Sequence, residues 1–239
     1  MTPYSISKKI KEKFDYYQSL SIIKYIYYNY FSPNIVRKDS AKVIPYKCAI
    51  LDLTKGARIY LKGKNLEIGA NRLKGSKEET RLRMKQGAEW YCNNGCMLVY
   101  GTTLEIHQQA RLDSGFFYMN YGSTIICTKH ITVGEDVWMG RNITIYDSDY
   151  HSMLNAQGET TNTTLPVVIG DHVWLTNQIM VLKGVTIGEG AIVSPFALVR
   201  KDVQPKAMFV KRDEMIVVKD DVHWSSKRVP DWGYNNLKK

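Results

Sequence analysis

His151 closes the run D-S-D-Y-H over residues 147–151, with two aspartates and a tyrosine within four positions. An imidazole has its ordinary pKa nearest neutrality of all side chains. It can take a proton from a reacting hydroxyl and return it without much tuning. A carboxylate or carbonyl against the second ring nitrogen would fix the tautomer, and Asp147, Asp149 or a backbone carbonyl could supply it. No Ser-His pair for a covalent intermediate is evident. The bland alternative is a solvated loop histidine, and loop context alone does not decide between the two.

The elements that must position this residue are repeats. From Val133 to Val203 every sixth residue is aliphatic or nearly so, apart from one break. Val133, Met139 and Ile145 hold the register before the break, and Ile169, Leu175, Val181, Ile187, Val193 and Val199 after it. A second apolar or small residue follows four places later, from Val137 and Ile143 through Val173, Ile179 and Val185 to Ala191, Ala197 and Val203. Helices repeat near 3.6 and strands at 2, so a sustained period of six predicts a parallel β-solenoid. Three hexads make one triangular coil, and stacked coils bury a column of aliphatic side chains. Gly134, Gly140, Gly170 and Gly188 each follow an aliphatic position, where a tight corner calls for a small or permissive residue.

The break, residues 147–166, is polar and ends at Pro166. A long loop in a regular solenoid is a place to look for function. The 239 residues therefore divide into an N-terminal helical and extended segment (1–47), a β-helix (48–204) and a C-terminal cap (205–239). Residues 1–31 lack glycine, and Ile22, Ile23, Ile26 and Tyr30 recur at helical spacing among lysines. Such a helix packs on the solenoid end or a neighbouring subunit, or lies on an anionic membrane surface. Residues 74–84, K-G-S-K-E-E-T-R-L-R-M, read as a charged, solvated loop, and the hexad register slips between Leu112 and Gly115.

No apolar run approaches a membrane span, and no signal-peptide pattern opens the chain, so a cytoplasmic protein is expected. Cys48, Cys92, Cys96 and Cys127 form no disulfide framework and read as small hydrophobes, with Cys127 on an inward rung. The net charge of +10 admits nucleic acid, an anionic membrane or acidic small molecules. The absence of a zinc-finger, RRM or basic-zipper pattern argues against nucleic acid.

Several stretches carry a family resemblance: V-W-M-G and V-W-L-T, D-S-D-Y-H, P-V-V-I-G-D-H-V-W, and L-K-G-V-T-I-G-E-G-A-I-V. From Phe116 to about Val203 the chain resembles the hexapeptide-repeat acyltransferases. The nearest branch is that of the maltose and galactoside O-acetyltransferases and the surface-polysaccharide O-acetyltransferases, which K-G-S-K-E-E-T-R-L also resembles. The resemblance implies a left-handed parallel β-helix, a homotrimer with sites between subunits, acetyl-CoA as donor and a saccharide hydroxyl as acceptor. It matches His151 to the family's catalytic histidine, Asn120 to its acceptor-side asparagine and Trp174 to the tryptophan after the loop. Tyr150, beside His151, is placed with Asn120 on the acceptor side. Asn120 could instead satisfy backbone groups at a corner. Trp138, which holds the same hexad position as Trp174, reads as packing or interface.

Lys183, Arg200, Lys201 and Lys211 lie along or just after the late coils, where the nucleotide phosphates of CoA would bind; the alternative is a solvated basic face. The chain departs from the family at Thr176, where glycine is usual, and at Ser194, Pro195 and Phe196, where a small turn is usual. Both departures fall near the expected pantetheine contacts. They motivate a non-catalytic binding or scaffold module as the competing reading. A zinc-dependent hydratase is the third: His130 and His172 share the fourth hexad position and His107 the second, whereas an open zinc site wants three convergent ligands. No metal is expected.

Overall fold

A computed structural model describes residues 19–210. Almost all of it is one stack of parallel strands in three sheets. The first face has seven strands, from Ile35–Arg37 to Thr186–Ile187. The second has eight, from Val43–Pro45 to Met208–Phe209, and the third seven, from Ala49–Leu53 to Leu198–Val199. Successive strands visit the three faces in turn, so the chain winds as a triangular parallel β-helix, as the hexads predict.

The hexad register is the inward column. Val133, Met139, Ile145, Ile169, Leu175, Val181, Ile187, Val193 and Val199 are all buried, and the second apolar set fills the same core. Each buried aliphatic side chain contributes about 1.5–3 kcal/mol relative to an exposed one. The corners need two different things. A left-handed backbone recurs three places after the aliphatic residue, at Asp136, Asn142, His172, Gln178, Gly184, Gly190 and Phe196. The glycines that directly follow the aliphatic positions serve closeness instead. A Cβ on Gly140 would lie 1.4 Å from the Thr176 carbonyl oxygen of the next coil.

Three expectations shift. The coils begin before residue 48, because Ile35–Arg37 and Val43–Pro45 already pair with the strands Arg58–Leu61 and Leu66–Ala70. Residues 80–84 of the charged interruption form a strand of the third face, with Thr80, Leu82 and Met84 inward and Arg81 and Arg83 outward. Period-two alternation outweighs charge there, since only one side of the strand meets the core. The slip after Leu112 has a local cause: Ser114 takes an inward position and accepts a hydrogen bond from buried Trp90 Nε1 at 3.0 Å. At the far end, the Ile187–Val203 bridge and Met208–Phe209 carry the coils past 204. The rest of the expected cap, Lys211 included, lies outside the described residues, as do residues 1–18 of the expected helical segment.

Candidate active site

The loop 147–166 leaves the third face after Thr144–Tyr146 and returns to the first at Val167–Ile169. It therefore projects from the edge between those faces. The Leu165 N–H donates to the Asp147 carbonyl at 3.1 Å and closes its neck.

Asp147 is fully buried. Its carboxylate accepts the N–H groups of Thr128, Lys129 and His130 at 2.7, 2.7 and 2.8 Å, and the Thr128 hydroxyl at 2.6 Å. A buried carboxylate is tolerated only when its lone pairs are filled this way. Burial also pushes the neighbouring Cys127 thiol far above its usual range. Asp147 thus fastens the loop's root to the coil below. It is not the group that orients His151, because its acceptor positions are taken.

Asp149 also turns elsewhere. One carboxylate oxygen accepts from Lys183 Nζ, which comes from the next coil on the same edge, and from Asn162 Nδ2 at 2.8 Å. Hydrogen bonds from Lys183 and Asn162 hold its carboxyl below the usual carboxylate range. Asn162 Nδ2 also donates to the His151 carbonyl at 2.9 Å, and Asn162 Oδ1 accepts the Met153 N–H at 2.8 Å. Lys183, expected at CoA phosphates, here pairs with Asp149 and so ties the loop to the next coil.

Tyr150 adopts a left-handed backbone, φ 65°, uncommon for a bulky residue. Its ring lies edge-on to His107 at 5.7 Å and to Tyr146 at 6.3 Å. Burial, with Tyr146 and Glu105 nearby, pushes its phenol up to about 12. Burial likewise lowers the pKa of His107, with Lys85 adding to it. Tyr150 itself stays about half exposed along that edge, and His151 follows it on the outer side of the loop. The His151 N–H donates to the Asp149 carbonyl at 2.8 Å, while its ring is exposed and has no partner among the described residues. A small cleft of about 90 Å³, lined in part by Ser148, His151 and Thr164, opens beside it.

The expected site residues fall on two edges. His151, Asp149, Tyr150, Lys183, Arg200 and Lys201 lie on the edge between the third and first faces. Arg200 and Lys201 line an open cleft of about 420 Å³ with Leu198 and Phe209. Asn120, Thr176 and Ser194 lie on the edge between the second and third faces. Asn120 Oδ1 accepts the Tyr121 N–H at 2.8 Å, a corner role. The Thr176 hydroxyl donates to the Val193 carbonyl at 2.8 Å, so the coil already uses it. Ser194 is buried, and its N–H donates to the Phe209 carbonyl at 2.9 Å. Trp174 is exposed on the second face, beside Trp138 in a ladder where Tyr118 and Trp138 stack at 5.0 Å.

The histidines weighed for zinc are engaged singly. His130 pairs with Asp113 at 2.8 Å and His172 with Asp136 at 2.7 Å. Among the described residues, no three or more His, Cys, Asp or Glu side chains gather as a metal site. Asn162 is the contributor that motif reading missed, and His107 was weighed there only as a zinc ligand. Asn162 sits in a polar stretch without period. His107 was legible only by counting coils, since it follows Thr103–Ile106 on the same edge as the loop.

Fold and repeat together define a hexapeptide-repeat β-helix protein. The chain is similar in sequence to proteins named acetyltransferases, galactoside O-acetyltransferases among them. It is 33% identical over 113 residues to a provisionally named acetyltransferase of Schizosaccharomyces pombe, across 44% of this chain and 55% of that one. The galactoside O-acetyltransferase of Escherichia coli is 28% identical over 111 residues, 46% of this chain and 50% of the relative. That of Lactococcus lactis is 35% identical over 89 residues, 36% and 42% of the two chains. The chain thus spans about half the length of the curated relatives it matches. No protein-family profile matches it. Among solved structures, the polySia-specific acetyltransferase NeuO gives a TM-score of 0.45 at 14% identity, covering 85% of this chain and 94% of that one. The hexapeptide-repeat acetyltransferase VCA0836 of Vibrio cholerae, complexed with acetyl-CoA, gives 0.43 at 22% identity, covering 52% and 66%.

Proposed function

We propose that this chain is an acetyl-CoA-dependent O-acetyltransferase that modifies a saccharide hydroxyl of a surface polysaccharide or its precursor. The observation that carries this reading is His151: an exposed imidazole without a described partner, on a loop whose backbone is pinned on both sides. The sequence likeness to galactoside O-acetyltransferases supports a saccharide acceptor.

In the proposed reaction the acceptor hydroxyl oxygen attacks the acetyl carbonyl carbon as His151 takes the hydroxyl proton. The carbon–oxygen bond forms, the carbon–sulfur bond breaks, and the imidazolium returns its proton to the departing sulfur. Asp149, Asn162 and Lys183 keep the His151 backbone in place, which is how a positioned base gains its advantage. The cleft with Leu198, Phe209, Arg200 and Lys201 offers apolar and cationic groups suited to the two ends of CoA. Asn120, Thr176 and Ser194 lie on a different edge of the prism from His151, and in the proposed assembly a second copy brings the two edges together. A homotrimer with sites between subunits does this.

His151→Ala should lower kcat by about 10²–10⁴ while acetyl-CoA still binds by titration calorimetry. Undiminished turnover would remove His151 as the base. Absence of acetyl-CoA binding by the folded wild-type protein would point to a scaffold solenoid instead.

A further inference from the structure

The first coil is capped by a helical turn, Ile22–Ile26, that runs into a π-helical turn, Tyr27–Phe31. The inner side of this cap is fully used. The Ser21 N–H donates to the Pro45 carbonyl at 2.9 Å, Lys24 Nζ to the Ala49 carbonyl at 2.5 Å, and the Tyr28 hydroxyl to the Leu51 carbonyl at 2.9 Å. Buried Asn29 exchanges two hydrogen bonds with the Val43 backbone, at 2.7 and 3.0 Å. The cap thereby pairs edge groups that an open sheet would leave exposed.

Its outer side is the reverse of what a cap needs. A solenoid's terminal cap ordinarily presents a polar face to water. Here Ile22, Ile23, Ile26, Tyr27, Tyr30 and Phe31 are exposed, Ile23 at 84% and Phe31 at 71%. Six large apolar side chains within ten residues make a patch that calls for a partner. Cations frame it. Lys42 Nζ and the Arg37 guanidinium stand 5.2 and 5.8 Å from the centre of the Tyr30 ring. The sequence before the described residues is also basic, K-K-I-K-E-K over residues 8–13.

We infer that this end of the solenoid docks on an anionic lipid surface. Ile and Phe side chains suit the acyl boundary, tyrosine rings the headgroup level, and lysine and arginine the lipid phosphates. No helix among the described residues is long and apolar enough to cross a membrane; the inferred contact lies in the interface plane. A second copy fits less well, because a self-complementary contact would bring the same cations together. The inference stands apart from acetyl transfer, although docking would bring the chain to lipid-linked acceptors.

The test is flotation of the full chain with vesicles of phosphatidylcholine, alone or mixed with phosphatidylglycerol. The wild type should float with the anionic vesicles and lose that binding at high salt. Ile23→Asp combined with Phe31→Asp should lower the bound fraction at least about tenfold. Arg37→Glu combined with Lys42→Glu should abolish the preference for anionic vesicles, and this arm decides the matter if the first variant melts early by circular dichroism. A wild type that stays at the bottom of the gradient overturns the inference, as does wild-type-like flotation of both variants. A change in oligomer size without a change in flotation would assign the face to a second copy.

Discussion

From Val167 to Val199 the inward side chains are aliphatic and sealed, and adjacent backbones approach so closely that glycine is required at Gly170 and Gly188. In the loop that precedes this stretch nearly every side chain is open to water, and order comes from polar contacts such as Asn162 with Asp149 and Lys183 with Asp149. The coils are a frame held by packing; the loop is an arm held by a few hydrogen bonds. Asp147 is the joint between them, buried like the frame and hydrogen-bonded like the arm. A rigid frame with a separately tethered arm lets the exposed residue be aimed without disturbing the core.

Breaking the frame should cost most. In Gly140→Ala the new Cβ meets the Thr176 carbonyl oxygen at 1.4 Å, which only separation of two coils relieves. Urea denaturation should register a loss of about 3 kcal/mol or more. A loss under about 1 kcal/mol would mean that the coils are far less rigid than the contacts imply. Next comes the joint. Asp147→Ala removes the acceptor for three N–H groups and a hydroxyl, and a loss of about 2–4 kcal/mol is expected by the same measurement. Activity should fall only as far as the folded fraction does.

The arm should respond in rate rather than stability. Lys183→Ala should shift Tm by less than about 2 °C, since exposed pairs stabilise little. It should nonetheless lower kcat about tenfold by loosening His151. A Tm fall as large as that of Asp147→Ala would erase the distinction between arm and frame. The tether is also pH-dependent. Because the folded-state pKa of Asp149 lies below its ordinary 3.8, the contact is present at neutral pH and is lost as pH falls through that depressed value. Thermal melts from pH 7 down should therefore show no loop-specific change above about pH 4. The smallest effect belongs to Tyr150→Phe. The phenol stays protonated at neutrality and the ring makes the contacts, so activity should remain within about twofold.

The late coils were legible because their signal is additive. One inward position every six residues, repeated over many hexads, outweighs any single substitution. The early coils use Trp90, Ser114, Thr80 and the free thiols of Cys92 and Cys96 inward, so the same geometry is written in residue types that break the count. The charge of Arg81 and Arg83 concealed a strand whose alternation with Leu82 and Met84 was nevertheless present. In the loop, residue type identified His151 but not the partners of its neighbours.

By itself the sequence determined the coil, its inward column and the one irregular loop carrying an imidazole. Only the tertiary structure showed that Asp147 and Asp149 both turn to other partners than the His151 ring, and that Lys183 pairs with Asp149 of the loop. The physical reason is distance along the chain. A hexad is a local rule that each corner repeats, whereas Asp147 finds its donors in residues 128–130 and Asp149 its lysine 34 positions later. Those meetings depend on how coils and an inserted loop stack, and no short period records that.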